Sequence, residues 1–166
     1  MSINRQPGAT VQCPSCGAQY QVPMQNVIDV DRSPQLKTLL LQGRLNVGIC
    51  PQCGTGGMLS APLVYHDSSK ELLFCLVPQE LGLTEHDRQR TIGTLSNAII
   101  DNLPAEKRKG YLLQPKQFLT FQSFVEAILE ADGITKEMLA AQEARIQLIA
   151  ELVEALHASN KRMAVL

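Results

Sequence analysis

Cys13-Pro14-Ser15-Cys16-Gly17 and Cys50-Pro51-Gln52-Cys53-Gly54 are two copies of one pattern, C-P-x-C-G, and this pattern decides the fold. A tight turn with a cysteine at each end points both sulfur atoms to one side. The proline after the first cysteine fixes φ at about −65°, and the glycine after the second cysteine permits a positive φ. Two such turns that face each other make a zinc ribbon, in which four sulfur atoms surround one ion.

The sequence therefore predicts one structural Zn²⁺ ion held by Cys13, Cys16, Cys50 and Cys53. In a reducing cytosol, closely spaced thiols are metal ligands more often than disulfides. A redox-active C-x-x-C pair would require a βαβ setting, which this sequence does not show. A catalytic zinc site keeps one coordination position open for water, whereas four cysteine ligands close the site.

The segment between the two turns, residues 17–49, is longer than the spacing in simple zinc fingers, so it must fold. Polar and apolar residues alternate over 19–22 and 28–31, which predicts two half-buried strands. Ser33 and Pro34 predict the N-cap and first residue of a short helix that ends at Gly43. Val47 and Ile49 predict a strand that leads into the second cysteine turn.

Residues 72–77 are apolar at successive positions, which predicts a strand that is covered on both faces. Cys75 lies in the middle of this run. We expect it to be a buried core thiol, because free cysteine is a small apolar residue in most proteins. The alternative, a reactive nucleophile or fifth metal ligand, lacks a neighbouring basic residue that would support it.

The residues around the turns resemble the CpXC domain, a bacterial and archaeal family named for its two C-P-x-C turns. The resemblance covers about residues 11–80 and includes both cysteine pairs. It also includes the helix start at Ser33, the stretch Gly43-Arg-Leu-Asn46 before the second pair, and Pro62-Leu-Val-Tyr-His-Asp67 after it. Because no activity is assigned to the family, the resemblance implies a fold and a metal but no reaction.

The second half of the chain predicts three amphipathic helices. A capping box at Thr84 opens the first, which Pro104 stops. An apolar stripe through Phe118, Phe121, Val125 and Ile128 marks the second. We therefore predict an α+β protein with a zinc-ribbon domain over residues 1–80, a helical region over 84–158 and a tail over 159–166.

The third helix, capped by Thr135, has two interpretations. Its apolar face can pack within the chain as part of a small bundle. Alternatively, the face can form a coiled-coil seam between two copies, because several of its residues stand seven apart. Gln142 occupies one seam position, and only about three heptads are present. The apolar positions are Leu139, Ile146, Ile149, Leu152, Val153 and Leu156.

Two further motifs invite functional interpretations. In Tyr65-His66-Asp67, a carboxylate could orient an imidazole for catalysis, but adjacent strand residues point to opposite faces. We expect Asp67 to bond to the backbone of Ser69 in a turn instead. Lys107-Arg108-Lys109 could contact nucleic acid, although short basic loops are usually only solvated. The phenylalanines of the second stripe have helical spacing, which favours burial over base stacking.

Composition bounds the function. The chain has 166 residues, 45% hydrophobic and 19% charged, with a net charge of −1, which disfavours binding nucleic acid by bulk attraction. The first residues lack the apolar core of a signal peptide and no window predicts a membrane span, so we expect a cytoplasmic protein. The best prediction is a non-enzymatic zinc-binding interaction or adaptor module with an unidentified protein partner. The alternative is a transcription-related zinc ribbon that binds nucleic acid.

Overall fold

In the computed structural model, residues 8–163 are described, and they form an α+β fold of eight strands and four α-helices. The chain divides into two compact units, Met1–Val125 and Glu126–Leu166. The strands are β1 (Gly8–Gln12), β2 (Gln19–Pro23), β3 (Val27–Asp29), β4 (Val47–Ile49), β5 (Gly56–Met58), β6 (Leu63–Asp67), β7 (Leu72–Leu76) and β8 (Lys116–Phe118). The helices are α1 (Pro34–Leu41), α2 (Glu85–Ile100), α3 (Phe121–Ala131) and α4 (Lys136–Met163).

Two antiparallel hairpins, β1–β2 and β4–β5, carry the cysteine turns at their tips. The first turn joins Gln12 to its cross-strand neighbour Gln19, and the second joins Ile49 to Gly56. The segment between the hairpins has the predicted strand and helix, but its strand β3 joins a different sheet. The inserted piece therefore ties the hairpins to the rest of the unit as well as linking them in sequence.

The central sheet has the order β3-β6-β7-β8, with parallel pairs at both edges and an antiparallel pair in the middle. Helix α2 packs on one face through a buried cluster that includes Val64, Cys75, Ile92 and Ile99. On the other face lie aromatic rings, which pack edge-to-face in pairs; Phe74 with Phe118 is one example. As predicted, β7 is covered on both faces.

One local prediction was wrong. Phe118 does not belong to a helix: it lies in β8, where it pairs with Leu76, and α3 begins three residues later at Phe121. Parallel pairing with the sheet edge takes precedence over the helical spacing of the phenylalanines. Ser33 is the N-cap of α1 and Pro34 its first residue, as predicted, although the Ser33 side chain makes no capping hydrogen bond. The caps predicted at Thr84 and Thr135 are confirmed, since their hydroxyls accept from backbone N–H groups of their helices.

The division of the chain at residues 80–84 stays a prediction. The central sheet itself crosses that division, because β8 pairs with β7. Helix α4 continues to Met163. The start of the predicted zinc-ribbon domain, residues 1–7, and the end of the predicted tail, residues 164–166, lie outside the described residues.

The two hairpins touch at Gly48, where β4 crosses β2. A Cβ at Gly48 would lie 2.9 Å from Val22 Cγ2 and 3.2 Å from the Tyr20 hydroxyl. These distances are too short for ordinary contact, so glycine is required here by the close approach of the strands. Its cross-strand partner Gly57 has open space at the same position.

The Gly48→Ala and Gly57→Ala variants test this contact as a matched pair. We expect Gly48→Ala to lower the free energy of unfolding by about 1–3 kcal/mol, because Val22 or the strand must move. Gly57→Ala should leave that free energy unchanged or raise it by about 0.4–1 kcal/mol, because alanine restricts the unfolded chain. Urea denaturation of the metal-loaded chain measures both; equal effects would contradict the contact.

Candidate metal centre

The two cysteine turns have the same backbone geometry. In each turn the glycine N–H donates to the carbonyl of the first cysteine, at 2.9 Å in both Gly17 and Gly54. The first cysteine's own N–H donates across the turn, to Ala18 and to Thr55, at 2.8 Å. Both glycines have a φ of 74°, as the sequence predicted. The repeated motif therefore builds the same turn twice.

The four cysteine sulfur atoms converge between the hairpin tips. Cys13 Sγ lies 3.5 Å from Cys53 Sγ, and Cys16 Sγ lies 3.6 Å from Cys50 Sγ. All four sulfur atoms lie within 4.8 Å of one another. A tetrahedral ion with metal–sulfur bonds of about 2.3 Å places its ligands about 3.8 Å apart. The arrangement thus fits a single metal ion with four sulfur ligands.

Each turn contributes one buried and one exposed sulfur ligand. Cys13 and Cys50 are buried under the hairpins, whereas Cys16 and Cys53 face solvent. The Thr55 hydroxyl lies 3.3 Å from Cys53 Sγ and 3.1 Å from Ser15 Oγ, so it links the two turns. Sequence reasoning missed Thr55 and Ser15; no signal in the C-P-x-C-G pattern marks either residue.

Hydrogen bonding within the cluster separates the thiol pKa values. The hydroxyl and backbone of Thr55, together with Cys13, lower the pKa of Cys53 to about 6. The backbone N–H of Ala18 lowers the pKa of Cys16, but contacts with Cys50 and the other cysteines, together with burial, outweigh it and raise that pKa to about 12. Four thiolates so close together repel one another, and a bound cation removes that repulsion.

Cys75 is not part of this cluster. It is completely buried in β7 against α2, and its Sγ lies 3.6 Å from the hydroxyl of Ser96. Burial raises the pKa of the Cys75 thiol, although the hydrogen bond with Ser96 opposes this. A buried thiol with a raised pKa is a poor nucleophile, so the expected core role is confirmed.

A second polar cluster lies at the ends of β3 and β6, which are parallel neighbours. His66 is completely buried; its Nδ1 lies 3.2 Å from Asp29 Oδ1, and its Nε2 lies 2.8 Å from the Tyr111 hydroxyl. Because a carboxylate only accepts, His66 Nδ1–H donates to Asp29, and Nε2 pairs with the Tyr111 hydroxyl. The Asp67 carboxylate accepts from the Ser69 N–H, as predicted.

The partners of His66 were missing from the sequence interpretation. Asp29 and Tyr111 are 37 and 45 residues away, so only the parallel register of β3 with β6 and the fold of the loop before β8 bring them together. Asp31 also lies in this cluster. Burial raises the pKa of Tyr111, as do the charges of Asp31 and other nearby acids, so its hydroxyl stays protonated and donates.

Two side chains of the basic loop, Lys107-Arg108-Lys109, make polar contacts within the chain. Arg108 Nε donates to the Leu103 carbonyl at 3.0 Å, and Lys109 Nζ lies 2.7 Å from Glu71 Oε1. Both contacts fix the loop beside the central sheet.

No helix within residues 8–163 is long and apolar enough to cross a bilayer.

Comparison with known proteins gives one match. A family model described as CpXC protein matches residues 11–143, most of the chain. The match therefore extends beyond about residue 80, the limit of the family resemblance found in the sequence. No curated protein and no solved structure matches the chain. Together, the family and the four converging sulfur atoms indicate a metal-binding module.

Metal affinity should depend on pH, because a bound ion must displace the protons of the thiols. Cys16, with its raised pKa, is protonated at neutral pH in the metal-free chain. For each proton released, we expect the apparent affinity for Zn²⁺ to rise about tenfold per pH unit between pH about 6.5 and 8.5. Competition titration with a chromophoric chelator measures this, and an affinity that is constant over this range would contradict it.

Tyr111→Phe should lower the free energy of unfolding, because it removes a hydrogen-bond partner of a buried histidine. The change leaves Nε2 of the buried His66 without a partner, which costs about 1–3 kcal/mol in the free energy of unfolding. Lys109→Ala, which removes an exposed ion pair from the same loop, should cost less than about 1 kcal/mol. Urea denaturation compares the two variants; an equal or smaller loss in Tyr111→Phe would show that the hydrogen bond is unimportant.

Proposed function

This chain belongs to the CpXC family, and we propose that it is a non-enzymatic adaptor in which one structural Zn²⁺ ion holds a protein-docking surface in shape. Cys13, Cys16, Cys50 and Cys53 would hold the ion. Thiolate ligands favour zinc among the ions common in cells, and a site with four cysteines leaves no position open for substrate. The ion supplies stability rather than a reaction.

An exposed apolar patch on the second hairpin carries the proposal. Val47, Ile49 and Met58 stand on the outer face of β4–β5, and their exposed fractions are 38%, 66% and 46%. Val47 and Met58 are cross-strand partners, and Ile49 directly precedes the metal ligand Cys50. Contiguous apolar residues on a surface mark sites where proteins interact. The metal-bound turn fixes the strand that presents them.

The hairpin that bears the patch is anchored to the segment between β2 and β3. The side chain of Asn46 accepts from the Gln25 N–H at 2.7 Å and donates to the Gln25 carbonyl at 2.9 Å. Asn46 has a φ of 53°, which asparagine tolerates better than most residues. The metal holds one end of the hairpin and Asn46 the other, so the patch is presented rigidly. Rigid presentation reduces the entropy lost when a partner binds.

The test is affinity purification of the tagged full chain from its native cell, with quantitative mass spectrometry of the proteins that co-purify. The double variant Ile49→Ser/Met58→Ser removes the patch, and Cys16→Ser removes a metal ligand. Leu113→Ser is the control, because Leu113 is 80% exposed but lies outside the hairpins.

Partners that dock on the patch should be retained by Leu113→Ser. They should fall at least about tenfold with the double variant, as expected when about 1.4 kcal/mol of contact is lost. Cys16→Ser should lose the same partners. An identical set of partners in all four samples would overturn the proposal.

Nucleic-acid binding is the alternative function. It would rest on Lys107-Arg108-Lys109, two of whose side chains have partners within the chain. A fluorescence-anisotropy titration with duplex and single-stranded oligonucleotides at low salt tests it, because phosphate contacts are strongest there. Binding that weakens steeply with salt, and is lost in Lys107→Ala, would favour this alternative over protein docking.

A further inference from the structure

Helix α4 presents a wide apolar face to solvent. Large apolar side chains recur along it at spacings of three and four residues, and their exposed fractions range from 45% to 64%. These six residues are Met138, Ile146, Ile149, Leu152, Val153 and Leu156. Soluble monomers rarely expose so many large aliphatic residues side by side. The face therefore requires a partner surface to cover it.

The opposite face of α4 is polar and acidic. Glu143, Gln147, Glu151 and Glu154 follow one another at spacings of four, four and three residues, and all four are exposed. A helix that lies on a membrane usually places lysine and arginine on its polar face, where they meet anionic lipids. The acids of α4 disfavour that use, so a protein surface is the better cover.

We propose that the apolar face of α4 pairs with α4 of a second copy of this chain. About half of each large residue on the face is exposed, roughly 100 Å² apiece, so the face offers on the order of 600 Å² per copy. A pair would bury about 1,200 Å² in total, which reaches the lower limit for specific, stable interfaces. At 28 residues, the helix is long enough to form such a seam alone.

The seam also specifies how the two helices align. Leu139, Ile146 and Val153 occupy one heptad position, and Gln142, Ile149 and Leu156 occupy the other. Gln142 is the one polar residue among these six. A parallel, in-register pair places the two Gln142 amides opposite each other, where each donates to the other. In the antiparallel pair that matches the remaining apolar layers, each Gln142 would face Val153, so the structure assigns the parallel pair.

The experiment measures the mass of the full, metal-loaded chain by sedimentation velocity and light scattering across a range of concentrations. Ile149→Glu places a charge in the seam, and Gln147→Glu places the same charge on the polar face as the control. We expect the wild type and Gln147→Glu to have twice the chain mass of 18.2 kDa, and Ile149→Glu to have the single mass. A wild type that stays monomeric at the highest attainable concentration would overturn the pairing.

Two further measurements keep the proposal testable if Ile149→Glu unwinds the helix. First, two differently tagged wild-type copies are co-expressed, and capture of one tag should recover the other; recovery of one tag alone would contradict pairing. Second, a photo-crosslinking amino acid at Met138 reports alignment after trypsin digestion. The parallel pair predicts a cross-link to peptide 137–145 of the second copy, whereas a cross-link to 146–161 would refute it.

Discussion

The convergence of four cysteine sulfur atoms is the constraint on which the first unit depends. The two hairpins are short, and each contributes few buried side chains of its own. At their tips, sulfur atoms from segments far apart in sequence lie within 4.8 Å of one another. Four thiolates at that distance repel unless a cation sits among them. Structural zinc supplies about 10–16 kcal/mol of apparent binding free energy in small peptides, comparable with the whole stability of a small domain, about 5–15 kcal/mol.

The rest of the unit is arranged to bring the two turns together and hold them there. Gly48 lets the strands of the two hairpins touch, and Asn46 fastens the second hairpin to the backbone at Gln25. The inserted strand β3 then joins the central sheet by pairing with β6. His66, near the end of β6, connects the β3–β6 edge of the sheet to the loop before β8 through its hydrogen bond with Tyr111. A chain of close contacts thus runs from the cysteine turns to the core.

The sequence predicted the parts of the structure that local rules determine. The C-P-x-C-G repeat predicts both turns down to the positive φ of Gly17 and Gly54, because that pattern contains its own geometry. Contacts between distant segments were beyond sequence reasoning. The pairing of β8 with β7 placed Phe118 in a strand despite its helical spacing, and the Asp29–His66–Tyr111 contacts depend on strand register. The alternation and spacing of apolar residues predict the structure of one segment at a time, whereas strand register depends on how two distant segments pair.

Thermal unfolding of the freshly purified chain, before and after removal of its metal by a strong chelator, tests whether a bound ion holds the two cysteine turns together. Elemental analysis of the same sample should find one zinc ion per chain. We expect the chelator to lower the melting temperature sharply or abolish the transition of the first unit, and added Zn²⁺ to restore it. A chain without zinc whose melting curve is the same with and without chelator would contradict it.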